Sequence, residues 1–384
     1  MIEQMRIDTK RYLRSRFAFF SFFLLALLFL ASLFSSWGKS DTQQLALLGA
    51  VQETVAEIQT RIDELPKNAK TSERKREQER LAYLEPLLAE YSTAAGNEQK
   101  RNQLNLAYAT FNLQEFAEGR GEDVLLIPYP DKEQKVTQTA LKQQVSYYQY
   151  LVDHKLSDVP DSSSQPAINY LSNQLMYRIS SVLLFVFLAI QATHFFTLDK
   201  QQGSIRFLNV LPISKHKLLM SKVWTFFLLN AGLFMAATVV VLAVVTGFNG
   251  FGHLKDPLVQ VMVGRTGVAT LGQFLLAYTG LFLAGTFLLS IASAFVSLFT
   301  RHFISHFMWL LLPLAVTQFG WLNAELLQKW YYYLPFHYLD ISGMLFGGPS
   351  QFMYPVGLGI VILIDWSLVF YAAILVTFGF RKRL

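Results

Sequence analysis

No cysteine occurs in the 384 residues, which excludes disulfides, thiolate metal sites and cysteine nucleophiles. Charge is sparse: Asp, Glu, Lys and Arg make up 16% of the chain, against about a quarter in ordinary soluble domains. No G-x-x-x-x-G-K-[ST] run is present, so the chain has no P-loop of its own. Neither H-E-x-x-H nor G-x-S-x-G occurs, which removes the zinc-protease and serine-hydrolase readings those motifs carry. The seven histidines are scattered. The chain is therefore read as no enzyme in its own right, with no cofactor or metal of its own.

Apolar residues dominate instead: 52% of the chain is hydrophobic and 33 residues are Phe. Six stretches reach the ~18–20 residues that a bilayer core requires. They are 17–37, 178–198, 223–246, 268–298, 303–321 and 356–380. Lipid leaves open backbone groups unsatisfied, so helices are the expected form. The expected fold class is an all-α polytopic membrane protein with six transmembrane helices. A large, mainly helical domain, 38–177, is inserted between the first two.

The formal charge of +6 would suit nucleic acid, but its distribution points to a membrane. Residues 1–16 carry five basic and two acidic groups, and 199–222 carry five basic and one acidic. Arg301 and the 381–384 tail (Arg381, Lys382, Arg383) add more positive charge. Segment 38–177 carries 15 basic and 20 acidic groups. The excess of Lys and Arg marks the inner side. With six spans, both termini are expected in the cytoplasm at the cell membrane, with 38–177 and the 322–355 loop outside.

A signal peptide competes for the first span, because a basic leader precedes "FAFFSFFLLALLFLASLF". That run exceeds the usual ~7–15 residues and no clean Ala-x-Ala follows, so an uncleaved anchor is expected. Before it, Ile2, Met5, Thr9, Tyr12 and Leu13 share one helical face, with Arg6, Lys10 and Arg14 elsewhere. This resembles a short interfacial helix on an anionic inner leaflet.

In the inserted domain, Leu48, Val51, Val55, Ile58, Ile62 and Leu65 recur at heptad spacing until Pro66. Leu81, Leu84, Leu88 and Tyr91 define a second helix, which Pro86 is expected to bend or split. Leu104, Tyr108 and Phe111 suggest a third, and Leu141, Val145, Tyr148 and Val152 a fourth. "GRGEDVLLIPYPDKEQK" reads as a loop with room for one short strand, and "SDVPDSSSQP" as a hinge. These stripes fit a self-packed helical cap, or a receptor or partner-docking surface.

The stretch "DKQQGSIRFLNVLPISKHKLLMSK", Asp199 to Lys222, lies between two spans. Gly203 permits a turn, "SIRFLNVL" a short helix, and Pro212 a stop, while Ser214 is a plausible N-cap for the next helix. A plain positive-inside anchor needs only scattered Lys and Arg. Ordered turn, stop and cap residues describe a stiff helix–turn–helix shelf. The pattern resembles the permease subunits of ABC-2 type transporters. Those carry an acidic residue, three residues, Gly-Thr, then Pro-[Ile/Val]-Ser and a basic cluster. Here Asp199 stands for the usual Glu, Gly203 and Ser204 for Gly-Thr, and Pro212 to Lys217 supply "PISKHK". "YYYLPFHYLD" before the last span is a second point of likeness. The resemblance covers roughly residues 1–37 and 178–384. It implies a coupling helix seated in a cleft of a separate ABC ATPase, which would hold the ATP and Mg. It also implies a second permease copy or paralogue completing the path. On this reading Asp199, Gly203, Ser204, Arg206, Pro212, Ser214, Lys215 and Lys217 are the ATPase-coupling residues.

Asp365, in "VILIDWSLVF", falls near mid-depth of the last span. A carboxylate there is expected to face protein or water. It is either a transport-path residue or proton relay, or else a partner in a helix–helix hydrogen bond or a protonated acid. His302 and His306 share an i,i+4 face, for which packing is favoured over a metal pair. Arg178 and His194 are expected to snorkel at the ends of span two. Trp321, Trp330, Tyr331, Tyr332 and Tyr333 read as an aromatic belt. Pro335 and Gly347-Gly348-Pro349 would permit short re-entrant helices.

The leading expectation is a permease subunit of an ATP-driven exporter, in contact with membrane lipids and not with nucleic acid. It would move a peptide, lipid or drug-like amphiphile. The alternative is a non-transporting mechanotransmission or sensor protein linking an outside domain to a cytoplasmic ATPase. A secondary transporter ranks last, because no internal repeat is evident.

Overall fold

The computed structural model describes residues 2–14, 16–36, 42–65, 71–93, 97–120, 136–158, 165–201, 214–262, 265–318, 333–346 and 356–381. The helices, in order, are α1 (Ile2–Leu13), α2 (Arg16–Ser36), α3 (Thr42–Glu64), α4 (Thr71–Ser92), α5 (Glu98–Ala117), α6 (Gln138–His154) and α7 (Ala167–Asn173). After a π-helical turn (Gln174–Arg178) come α8 (Ser181–Gln201) and α9 (Lys215–Asn249). A hairpin of β1 (Pro257–Met262) and β2 (Arg265–Thr270) precedes α10 (Leu271–Ser297), α11 (Phe303–Gln318), α12 (Phe336–Leu339), α13 (Ile341–Phe346) and α14 (Val356–Arg381).

Among the described residues, four helices are long and apolar enough to cross a membrane: α8, α9, α10 and α14. Shorter apolar stretches, Phe20–Ala31 in α2 and Phe303–Ala315 in α11, fall where the first and fifth spans are expected. Helix α9 starts at Lys215, eight residues before the expected span, and runs unbroken for 35 residues. Helix α10 starts at Leu271 rather than 268, because Pro257–Thr270 is spent on the hairpin. Among the described residues, that hairpin is the exception to an otherwise helical fold. Its strands are antiparallel, with Pro257 opposite Thr270 and Met262 opposite Arg265.

The chain divides into two compact units. One comprises Met1–Ala31, Tyr170–Phe248 and Phe274–Leu384, and the other Ser32–Asn169 and Asn249–Gln273. The second unit thus takes in the hairpin as well as the inserted helices.

In the second unit the heptad stripe of α3 buries Leu47, Val51, Val55 and Ile58. These share a core with Leu84, Leu87 and Tyr91 of α4, Tyr108 and Phe111 of α5, and Tyr148 and Leu151 of α6. Helix α4 is not split at Pro86. Proline removes one backbone hydrogen bond, but Leu84 and Leu87, both fully buried, hold the turns on either side of it. Asn97 caps α5, its Oδ1 accepting from the N–H groups of Gln99 at 3.0 Å and Lys100 at 3.3 Å. Thr137 caps α6, which ends on Lys155 in the left-handed region at φ 54°. The hairpin packs on α6. Gly252, at φ +84°, lies where a Cβ would come within 2.7 Å of the Pro166 ring, so only glycine fits. The "GRGEDVLLIPYPDKEQK" segment, apart from Gly119 and Arg120 at its start, and most of the "SDVPDSSSQP" hinge lie outside the described residues.

The first unit is knitted by aromatic rings. Phe29 of α2 meets Phe234 of α9 at 6.2 Å. Phe234 stacks on Phe282 of α10 at 4.1 Å. Phe282 stacks on Phe185 of α8 at 5.6 Å. Between helices in lipid the hydrophobic drive is small, so close van der Waals contact of this kind carries association. Gly285 lets α10 approach: a Cβ there would lie 2.5 Å from Phe185 Cζ. The Pro335 segment forms the two short helices α12 and α13, whose Tyr338, Leu339, Ile341, Met344 and Leu345 are buried. Ser342 Oγ donates to the Leu175 carbonyl in the π-helical turn at 2.7 Å. The Trp321, Trp330, Tyr331 and Tyr332 positions and the Gly347-Gly348-Pro349 turn lie outside the described residues.

Candidate functional site

The ends of the basic stretch are held by buried charge. Asp199, in the last turn of α8, is 5% exposed. Its Oδ1 accepts from Arg11 Nη1 of α1 at 2.5 Å. Its Oδ2 is paired with Lys222 Nζ of α9. An acid at a helix C-terminus opposes the helix dipole, and the two cations offset that cost. One carboxylate therefore ties together α1, α8 and α9, and fixes both roots of the intervening segment.

Helix α1 supplies the rest of this cluster. Tyr12 OH donates to Gln191 Oε1 of α8 at 2.8 Å, and its ring sits edge-on to Phe195 at 5.7 Å. Asp8, also buried, accepts from Gln4 Nε2 at 3.1 Å through Oδ1. Burial raises the Asp8 carboxyl above its ordinary value, against the lowering pull of Lys222 and of the Gln4 hydrogen bond. Asp8, Arg11, Tyr12, Asp199 and Lys222 line a small pocket with His194, Phe195 and Leu198. The buried face of α1 is thus Asp8 and Tyr12, whereas Ile2 and Leu13 of the expected apolar face are exposed. Polar anchoring through Tyr12 and Arg11 sets the rotation of α1.

The neighbouring residue, Lys200, points elsewhere. Its Nζ donates to the carbonyls of Ser297 and of Thr300, the latter at 2.7 Å, at the end of α10. A cation on the last carbonyls of a helix satisfies orphan acceptors and complements the dipole. Beside it, His306 of α11 is fully buried between Ser293 Oγ at 2.8 Å and Thr300 Oγ1 at 3.0 Å. Both its ring nitrogens are engaged by hydroxyls and His302 is exposed, which accords with packing rather than a metal pair.

Helix α9 opens at Ser214, whose Oγ accepts from the Lys217 N–H at 3.4 Å. Lys215 and Lys217 are exposed. His216 between them turns inward, its ring 5.7 Å from Tyr371 and 6.2 Å from Phe378 of α14. Gly203, Ser204, Arg206 and Pro212 lie outside the described residues. Asp365, on α14, is exposed and makes no hydrogen bond or ion pair among the described residues.

Residues 5–382 match the family model described as ABC-2 family transporter protein. The chain belongs to this family. No curated protein and no solved structure matches it. The ABC-2 match and the membrane-length helices make it a multi-pass membrane protein, the permease component of an ABC transporter. Within this permease the structure brings Asp199 together with three residues that the sequence pattern left out of the site: Asp8, Arg11 and Lys222. The available signal was weak. Lys222 is a lone cation where an apolar run begins, and Arg11 and Asp8 lie far from Asp199 in sequence.

Proposed function

We propose that this chain is the membrane-spanning subunit of an ATP-driven exporter. Its segment 199–222 seats on a separate cytoplasmic ABC ATPase, which binds ATP and Mg. The inner leaflet then faces α1, both termini are cytoplasmic, and residues 38–177 lie outside. A second permease copy or paralogue completes a path for a peptide, lipid or drug-like amphiphile. The observation that carries this reading is the Asp199–Lys222–Arg11 cluster. It clamps the roots of the basic segment to three helices, so a push on Lys215 and Lys217 moves α8, α9 and α1 together. His216 extends the link to α14. Such a push shifts a two-state equilibrium only if the ATPase binds one state better than the other.

The test is charge reversal at the exposed pair, Lys215→Glu with Lys217→Glu. ATPase co-purification falls and ATP use no longer drives export in reconstituted vesicles. Unchanged association together with unchanged transport removes the coupling assignment.

A further inference from the structure

Helix α14 presents an exposed stripe at helical spacing. Val361, Ile364, Leu368 and Val369 are each 42–58% exposed, and Asp365 sits among them. Asp365 lies nine residues into the helix, about 13 Å along its axis. Of the other described acids of this unit's helices and short connections, all but the exposed Glu3 of α1 have partners. Asp8 accepts from Gln4, Asp199 pairs with Arg11 and Lys222, and Asp340 accepts from Ser181 and from the Gly343 N–H. Asp365 has none among the described residues.

A carboxylate at that depth is costly in lipid and calls for a counter-charge. No described Lys or Arg pairs with it. Among the described membrane-length helices, Lys and Arg occur only near one end: Lys200 in α8, Lys215, Lys217 and Lys222 in α9, and Arg381 in α14. Arg381 is 16 residues beyond Asp365, about 24 Å. A second copy would bring the same helices with the same gap. A cation carried on a bound molecule would complete the pair that the described residues leave open.

We propose that Asp365, with the aliphatic rows at Val361, Ile364, Leu368 and Val369, recognises the cationic head of the transported molecule. That molecule is an amphiphile bearing an ammonium or guanidinium group on an apolar body. The carboxylate neutralises the head and the branched side chains above and below it pack the body. The back of α14 is braced for this: Trp366 Nε1 donates to the Tyr333 carbonyl at 2.8 Å, and Phe370 packs on Phe295 at 5.7 Å. This inference rests on the reading of α14 as part of the path.

Two measurements on the full chain in phosphatidylcholine nanodiscs separate them. The first is binding of ethidium, a lipophilic cation, against Nile red, an uncharged dye. Asp365→Asn weakens ethidium at least about tenfold, leaves Nile red unchanged, and Asp365→Glu keeps ethidium. Equal ethidium affinity in Asp365→Asn, equal loss of both dyes, or no saturable ethidium binding overturns the cation assignment. The second uses the absence of native cysteine. Leu368→Cys and Val369→Cys react with a water-soluble thiol reagent, and ethidium protects them. If they react while Asp365→Asn binds ethidium normally, the path reading stands and the cation assignment falls. If they are inert, the path reading falls and the proposal with it.

Discussion

The Lys222 ammonium closes on the Asp199 carboxylate across 23 positions of sequence, joining the last turn of α8 to the third turn of α9. Removing one member strands the other. Asp199→Asn leaves Lys222 as a buried cation without its counter-ion, a loss of about 3–5 kcal/mol. The purified chain then unfolds at a clearly lower temperature. Asp199→Leu combined with Lys222→Met recovers most of the loss, because neither member of the pair is left buried without the other and Arg11 is half-exposed. An unchanged midpoint in Asp199→Asn contradicts the buried pair.

His216 connects the basic cluster to α14 through Tyr371 and Phe378. His216→Ala leaves Lys215 and Lys217 on the surface, so ATPase association is retained. ATP-driven transport drops about fivefold or more, the range of ordinary coupling energies. A matched loss of association and transport would show instead that the imidazole itself touches the ATPase.

Gly285 admits the Phe185 ring at a distance that a methyl group cannot share. Gly285→Ala overpacks this contact and costs about 1–3 kcal/mol. Pairing it with Phe185→Leu restores the unfolding midpoint, which thermal melting of the two variants checks.

Two acids of the second unit respond to pH with opposite sign. Lys100 and the Asn97 N–H hold Glu90 below its ordinary 4.5. Its contribution is complete above that value and is lost as pH falls through the lower folded value. Hydrogen-exchange protection at 97–101 therefore declines in acid, and Glu90→Gln flattens the decline. Burial raises Asp256 above its ordinary 3.8, although Asn169 Nδ2 donates to it at 2.9 Å. Its contribution is present below that value and is lost as pH rises through the raised folded value. Asp256→Asn accordingly raises the unfolding midpoint at neutral pH and gives no gain in acid.

Much of the helical scaffold was legible because its signals are local. Apolar length marks α8, α9, α10 and α14, the heptad stripe marks α3, and Ser214 marks the start of α9. The hairpin was not expected between the third and fourth spans, because in "PLVQVMVG" Gln260 alone breaks the apolar run before the glycine. Its run is short and adjoins a long apolar helix, which hides a period of two. Pro86 does not split α4, since packing on both sides outvotes one lost hydrogen bond. The charge cluster was only half visible. Asp199 stands in a recognisable pattern, but Arg11 lies 188 positions away and Asp8 looks like one more charge on a polar helix. Local periodicity carries no information about which distant carboxylate a cation will meet.

The most direct test of the account places a photoreactive benzoylphenylalanine at Lys217 in the intact cell and identifies what it captures by mass spectrometry. The account predicts a polypeptide that carries a P-loop, with capture lost when that partner is deleted. Capture of lipid alone, or modification of the same position by an impermeant reagent applied from outside the cell, would contradict it.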